Sequence, residues 1–344
     1  MTQQHGGNIF GYENILDFSA NINPLGTPDS VKRAIIDSVD SIYNYPDPYC
    51  TELCQKIAER EKTNAENIVC GNGADDLIFR IVHAFAPKKA LIFVPSFSEY
   101  NAALLEVNCE ICEQVLTEDN SFQITESMIE RLDSTFDICF VCTPNNPTGQ
   151  LIQPEILKKL ALKCKNSGIL LVCDECFLGF TNESEKYSLK NHLNDSCIVL
   201  NAFTKLYAMP GIRLGYAVCG STKAAEKIRN SGQFWSVSTL AQAAGTAALN
   251  ETGYVFRTKE YVTIERHFLI GELDSLGLKV FDSAANFLLF HSDTDLFERM
   301  LAENILIRNC ENFRGLPKGF YRIAVRTHEE NVQLITALGM CLYG

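Results

Sequence analysis

A lysine at position 205 follows an apolar strand pattern inside the mostly uncharged segment Asn201-Ala202-Phe203-Thr204-Lys205. A lysine held near apolar and cationic groups has a lowered pKa and can form a Schiff base with a carbonyl. Taken alone, a loop lysine is usually a solvated surface charge. Its neighbours weigh against that: Arg213, eight residues on, could clamp an anion, and Thr204 offers the same anion a hydroxyl. Asp174 comes after the apolar run 169–173, at the carboxyl end of a strand pattern. Open α/β sheets bind ligands at that edge. A carboxylate there could keep a pyridine nitrogen protonated and so make the ring an electron sink, or it could simply cap a helix.

Three loops add to this set. Gly71-Asn72-Gly73-Ala74-Asp75-Asp76 follows a strand and opens a helix. Small residues there let the backbone approach a phosphate, which free N–H groups and the helix dipole attract. The bland alternative is a tight turn, and the fuller dinucleotide fingerprint is missing. In Thr143-Pro144-Asn145-Asn146-Pro147-Thr148-Gly149 two prolines rigidify the loop and fix where Asn146 points. Phe97, in Pro95-Ser96-Phe97, is placed to lie flat on a planar ring, although a lone Phe is more often a core residue.

The elements that must hold these groups follow from hydrophobic patterning. Strands are expected at 67–70, 90–94, 110–116, 138–142, 169–173, 197–201 and 214–219, with amphipathic helices at 75–86, 98–107, 154–165 and 223–231. Strands interleaved with helices predict a mainly parallel sheet of seven strands, covered on both faces. Beyond residue 241 the pattern becomes long helices as far as 276. Strands at 279–281, 286–290, 306–308 and 321–325 and helices at 293–303 and 329–342 then predict a smaller α/β domain. The expected division is a large domain at 41–240 and a linking helix with the small domain at 241–344. The N-terminal segment 1–40 is expected to join the small domain.

A chain of 344 residues suggests roughly two domains. Apolar residues at 46% and charged residues at 21% exclude wholesale disorder. With 30 Lys and Arg against 42 Asp and Glu, the net charge of −12 repels phosphate backbones, so no nucleic-acid partner is expected. An anionic substrate would need a few local arginines to overcome that field. No apolar run approaches the roughly 20 residues needed to span a bilayer, and residues 1–11 do not read as a signal peptide. A cytoplasmic protein without a membrane partner is expected, its fourteen cysteines kept as free thiols. Three pairs have C-x-x-C spacing, Cys109 with Cys112, Cys139 with Cys142 and Cys173 with Cys176. Cys139-Phe140-Val141-Cys142 lies in an apolar strand pattern and the histidines are scattered singly, so no metal is expected.

Taken together and in this order, these segments resemble the fold-type I pyridoxal-phosphate enzymes of the aminotransferase class I/II family, from about residue 17 to 325. The resemblance implies that Lys205 carries pyridoxal 5'-phosphate, that Asp174 pairs with its ring nitrogen and that Phe97 stacks on the ring. Asn146 would contact the phenolic oxygen, and the phosphate would meet the Ala74 and Asp75 amides, Thr204 and Arg213. It also implies a homodimer, in which Tyr45 of Asn44-Tyr45-Pro46-Asp47-Pro48 reaches the phosphate of the partner site.

Two branches of that family share these segments. The histidinol-phosphate aminotransferase branch has Tyr-Pro-Asp-Pro, Asn-Asn-Pro-Thr-Gly and Pro-Gly-Ile-Arg. The threonine-phosphate decarboxylase branch of cobalamin biosynthesis adds His5-Gly6-Gly7-Asn8, the stretch from Asp17 to Gly26, Arg308 closing Ile305-Leu306-Ile307, and Arg322 within Tyr321-Arg322-Ile323. The chain looks most like that second branch. There His5, Gly6, Asn21, Asn146, Arg308 and Arg322 are implied to hold a phosphorylated amino acid, threonine phosphate or its phosphoserine analogue. Phe177 stands where many relatives have Tyr, and Ala202 where a hydroxyl residue often helps bind the phosphate. A catalytically silent regulatory protein fits poorly with the complete set of Lys205, Asp174 and Asn146.

Overall fold

The computed structural model describes residues 5–344; residues 1–4, the beginning of the expected N-terminal segment, lie outside the described residues. Strand β1 (Leu16–Asp17) is followed by β2 (Ile68–Gly71), β3 (Lys89–Val94), β4 (Glu110–Val115), β5 (Ile138–Cys142), β6 (Leu170–Asp174), β7 (Cys197–Ala202) and β8 (Gly215–Cys219). The last seven form one sheet in the order β2-β8-β7-β6-β5-β3-β4. Strand β8 runs antiparallel to both its neighbours, and the other pairings are parallel. Every residue of β2, β5, β6 and β8 is buried, as expected of strands covered on both faces. Edge strand β4 carries Glu110 and Glu113, charges that discourage pairing with another chain.

Alternation along the strands splits the apolar side chains between two cores. Val69, Ile92, Phe140, Val172 and Ile198 pack with helices Ala74–Phe85 and Thr222–Arg229. Cys70, Leu91, Val141, Leu171 and Val199 pack with helices Thr51–Glu61 and Pro154–Ser167. The same period explains the pair Cys139 and Cys142 within β5, because three residues along a strand is an odd step that points two thiols to opposite faces. Cys139 thus joins the second core, whereas Cys142 lines the cavity described below. Among the described residues, no group of three or more His, Cys, Asp or Glu is arranged to hold a metal ion. No described helix is long and apolar enough to cross a membrane.

The 24-residue helix Thr252–Ser275 leads to β9 (Lys279–Phe281), β10 (Phe287–His291), β11 (Ile305–Leu306), β12 (Arg308–Asn309) and β13 (Phe320–Ala324). Four of these form an antiparallel sheet in the order β12-β13-β10-β9. The single strand expected at 306–308 is in fact two. Strand β11 pairs in parallel with β1, and β12 pairs with β13, so the chain changes sheets at Ile307. Further backbone bonds tie the start of the chain down: Phe18 N–H donates to the Leu306 carbonyl and Ala324 N–H to the Phe18 carbonyl, both at 2.8 Å. This stitching carries the segment after Asp17 across to the central sheet.

Candidate active site

The parallel register aligns Cys142, Asp174 and Leu200 in one row at the carboxyl ends of β5, β6 and β7. Asn146 follows β5, Phe97 follows β3, and Lys205 sits in the one-turn helix Phe203–Leu206 after β7. Strand β2 runs in the same direction, so Ala74 and Asp75 at the start of the helix Ala74–Phe85 join them. All of these except Leu200, with Thr204 and Arg213, line one cavity of about 990 Å³.

Asp174 is not a helix cap but the last residue of its strand, 6% exposed. Its Oδ1 accepts the Cys176 N–H at 2.9 Å and its Oδ2 accepts the Tyr100 hydroxyl at 2.7 Å. These two bonds fix the direction of the carboxyl group. Tyr100 was not singled out from sequence. Its signal is a polar side chain on the buried face of the helix Glu99–Glu106, three residues past Phe97, stacked on Phe140 with ring centroids 5.0 Å apart.

Lys205 makes no hydrogen bond or ion pair to the described residues through its amine. Burial first, then the charges of Arg322 and Arg213, hold the amine down to about 8. At neutral pH a larger share of it is therefore a free nucleophile than for an ordinary lysine.

The turn before the helix Ala74–Phe85 is shaped by glycines. Gly73 has φ +94°, and a Cβ there would sit 2.6 Å from the Arg213 Nη2. A Cβ on Gly215 would lie 2.5 Å from the Ala74 nitrogen. Both glycines allow Arg213 and the first helical N–H groups to converge, which makes a site for an anion. Asp75 also has a buried Oδ1 without a hydrogen-bond partner.

Across the cavity, Arg308 on β12 stands directly opposite Arg322 on β13. They are 7% and 5% exposed, and neither forms an ion pair with a carboxylate among the described residues. Arg322 donates to Asn146 Oδ1 and, at 2.8 Å, to the Ser19 carbonyl, while its Nε is buried and unpartnered. Arg308 donates to the Asn309 carbonyl at 2.7 Å and to Asn312 Oδ1 at 2.8 Å. Asn21, 2% exposed, has an unpartnered Oδ1 in the same cavity. Gly6 packs so closely that a Cβ would fall 2.1 Å from the Ser19 oxygen.

One residue sits differently from the arrangement the resemblance implies. His5 lines the cavity, yet its Nε2 lies 3.0 Å from Glu99 Oε1, so the imidazole is engaged by that carboxylate and not with Arg308. The pairing holds Glu99 below its ordinary range. Tyr45 is not in its own chain's cavity; it is 78% exposed and stacks on Trp235, with centroids 4.4 Å apart. Phe177 and Ala202 both line the cavity, and Phe177 meets Phe287 edge-on.

The chain matches the family described as aminotransferase class I and II over residues 13–338. It is 39% identical to the threonine-phosphate decarboxylase of Salmonella typhimurium, across 99% of this chain and 97% of that protein. Among solved structures, the histidinol-phosphate aminotransferase from Clostridium acetobutylicum superposes with a TM-score of 0.90 at 30% identity, over 95% of this chain and 99% of that one. The L-threonine-O-3-phosphate decarboxylase from Porphyromonas gingivalis gives 0.83 at 26% identity, with the same coverage. Superposition is tighter for that aminotransferase, and identity is higher for the Salmonella decarboxylase. Both activities stand on one scaffold, so backbone agreement does not separate them; side chains must.

Proposed function

The chain belongs to the aminotransferase class I and II family, and from that membership we propose a pyridoxal-phosphate-dependent decarboxylase that converts L-threonine O-3-phosphate to (R)-1-amino-2-propanol O-2-phosphate in cobalamin biosynthesis. The observation that carries this reading is the facing pair Arg308 and Arg322, buried without carboxylate partners. Two like charges out of water are costly unless something compensates them. A substrate bearing a phosphate and a carboxylate compensates both, and the guanidinium fork suits either group.

The cavity fits pyridoxal 5'-phosphate on its own geometry. The glycine-shaped turn, the first helical N–H groups at Ala74 and Asp75, Thr204 and Arg213 would take the phosphate. Asp174, held in place by Tyr100 and Cys176, would accept from the ring nitrogen. Phe97 would cover one ring face, Asn146 would meet the phenolic oxygen, and Lys205 would hold the aldehyde carbon. Bound there, the cofactor supplies an electron sink for the bond that breaks at Cα.

Reaction choice then rests on the chain's arginines. Arg322 would hold the substrate carboxylate and so fix which Cα bond is aligned for cleavage. Arg308, with Asn21 of the same cavity, would hold the phosphate; His5 would join them only by leaving Glu99. Gly6 keeps the N-terminal segment against Ser19, next to Arg322. Lys205, titrating near 8, can hold the proton that returns to Cα after carbon dioxide leaves. We extend the proposal to a homodimer in which exposed Tyr45 completes the partner's phosphate site. Exposed Ile36, Ile42 and Tyr43 nearby in the chain support a covered face.

Purified protein with the cofactor and O-phosphothreonine is expected to release carbon dioxide without consuming a 2-oxo acid. A strict requirement for 2-oxoglutarate, with histidinol phosphate as amine donor, would instead make it an aminotransferase. O-phosphoserine differs by one methyl group, worth about 1–3 kcal/mol, so it is expected to react measurably but less efficiently. Gly6→Ala is expected to lower kcat/KM about 10²-fold by displacing the segment from Ser19. Its thermal midpoint should stay close to wild type, because Gly6 lies outside both cores. Unchanged kinetics would remove this segment from the substrate site.

A further inference from the structure

A second chemical cluster lies away from this cavity. The helix Thr51–Glu61 starts at Cys50, and Cys54 lies one turn on, on the same helix face. Both meet Cys70, which edge strand β2 presents to that side of the sheet. The Cys54 and Cys70 sulfurs are 3.7 Å apart, and the Cys50 thiol is within hydrogen-bonding reach of Cys70. All three line a cavity of about 750 Å³, together with Arg80 and Arg229. Arg80 is 5% exposed; Asp76 holds its Nε at 3.0 Å, while its Nη2 is buried with no partner. The cavity thus combines two adjacent thiols with an unspent cationic donor, and the three thiols are not arranged to hold a metal ion.

We propose that Cys54 and Cys70 form a redox-active dithiol, oxidised by a small anionic disulfide that enters this cavity and places its carboxylate on Arg80. The proposal is independent of the reaction assigned to the main cavity. Cys54 attacks, since the hydrogen bond from Cys70 holds its thiol below the ordinary value while Cys70 itself is pushed well up. The Cys54 thiolate bonds to one sulfur of the incoming disulfide, and the other half leaves as a thiolate that takes up the proton Cys54 lost. Cys70 then bonds to Cys54, releases the second half and passes its proton to it. The protein loses two electrons and two protons, and the small disulfide gains both as two thiols.

The full-length protein with glutathione disulfide is expected to lose two of its 14 thiols, and peptide mapping should join Cys54 to Cys70. Cys70→Ser is expected to stop at one glutathione on Cys54. Cystamine, a cationic disulfide, should react about tenfold more slowly at low salt. Linkage through another pair, an adduct confined to Cys112 or Cys176, or no loss of thiols would overturn the proposal. Equal rates for the two disulfides would overturn the role given to Arg80.

Discussion

Lys205→Met is expected to abolish carbon dioxide release, by a factor of at least about 10³, because the change removes both a covalent anchor and a proton carrier. Borohydride treatment of wild-type protein with pyridoxal phosphate should leave a fixed adduct on the peptide containing residue 205, and none on the variant. The variant should also differ in a way that needs no cofactor. In the native state the amine titrates near 8, against 10.5 for an ordinary lysine. Below pH 8 both native and unfolded chains carry the proton, so the native state bears the full cost of a buried charge. Between pH 8 and 10.5 the native amine is neutral while the unfolded one is still charged, so wild-type stability rises with pH. The gap corresponds to about 3 kcal/mol. The cofactor-free variant should therefore be more stable than wild type below pH 8, and the difference should vanish above pH 10.5. An adduct found elsewhere, or retained activity, would sink the assignment of Lys205.

Much of this site was readable because it lies where strands end. Runs such as 138–142 and 169–173 announce buried strands from composition, and parallel strands leave their carboxyl ends on one edge of a sheet. Asp174, Asn146 and Lys205 follow from that alone once the strands are placed. What escaped was set by partners far away in sequence. Tyr100 reaches Asp174 across 74 residues. Strand β1 pairs with residues 305–306, which divides one expected strand between two sheets. His5 finds Glu99, a carboxylate that no local pattern assigns to it. Cysteine spacing is a poor guide for the same reason: Cys139 and Cys142 look like a pair, yet the geometry of their strand points them apart. Cys54 and Cys70, sixteen positions apart, meet because a helix face and a strand face close over one core. The helices Asp29–Asp37 and Thr51–Glu61, the second of which carries Cys54, were not read from the pattern at all.

Arg322→Gln is the sharpest test of what selects the reaction. The substitution keeps one donor for Asn146 or Ser19 but loses the charge and the fork. Without a fixed carboxylate the scissile bond is no longer held in line, and kcat/KM is expected to fall about 10²- to 10³-fold. Global unfolding is not the expected cause. The change deletes hydrogen bonds worth about 1 kcal/mol each, but it also removes one of two buried guanidiniums that face each other without a counter-ion. The thermal midpoint of the cofactor-free protein should therefore hold within a few degrees or rise. A second readout is specific to position. After burial, Arg322 is the strongest influence holding Lys205 down to about 8. Its loss should raise the pH midpoint at which acetic anhydride labels the Lys205 amine, measured by mass spectrometry across a pH series. Arg308→Gln, acting on the far side of the pair and not among the groups depressing Lys205, should lose substrate affinity with little change in that midpoint. If Arg322→Gln retained kcat/KM within threefold of wild type, or if its only effect were a lowered thermal midpoint, the carboxylate clamp would have to be sought elsewhere. The case for decarboxylation would then lose its physical basis.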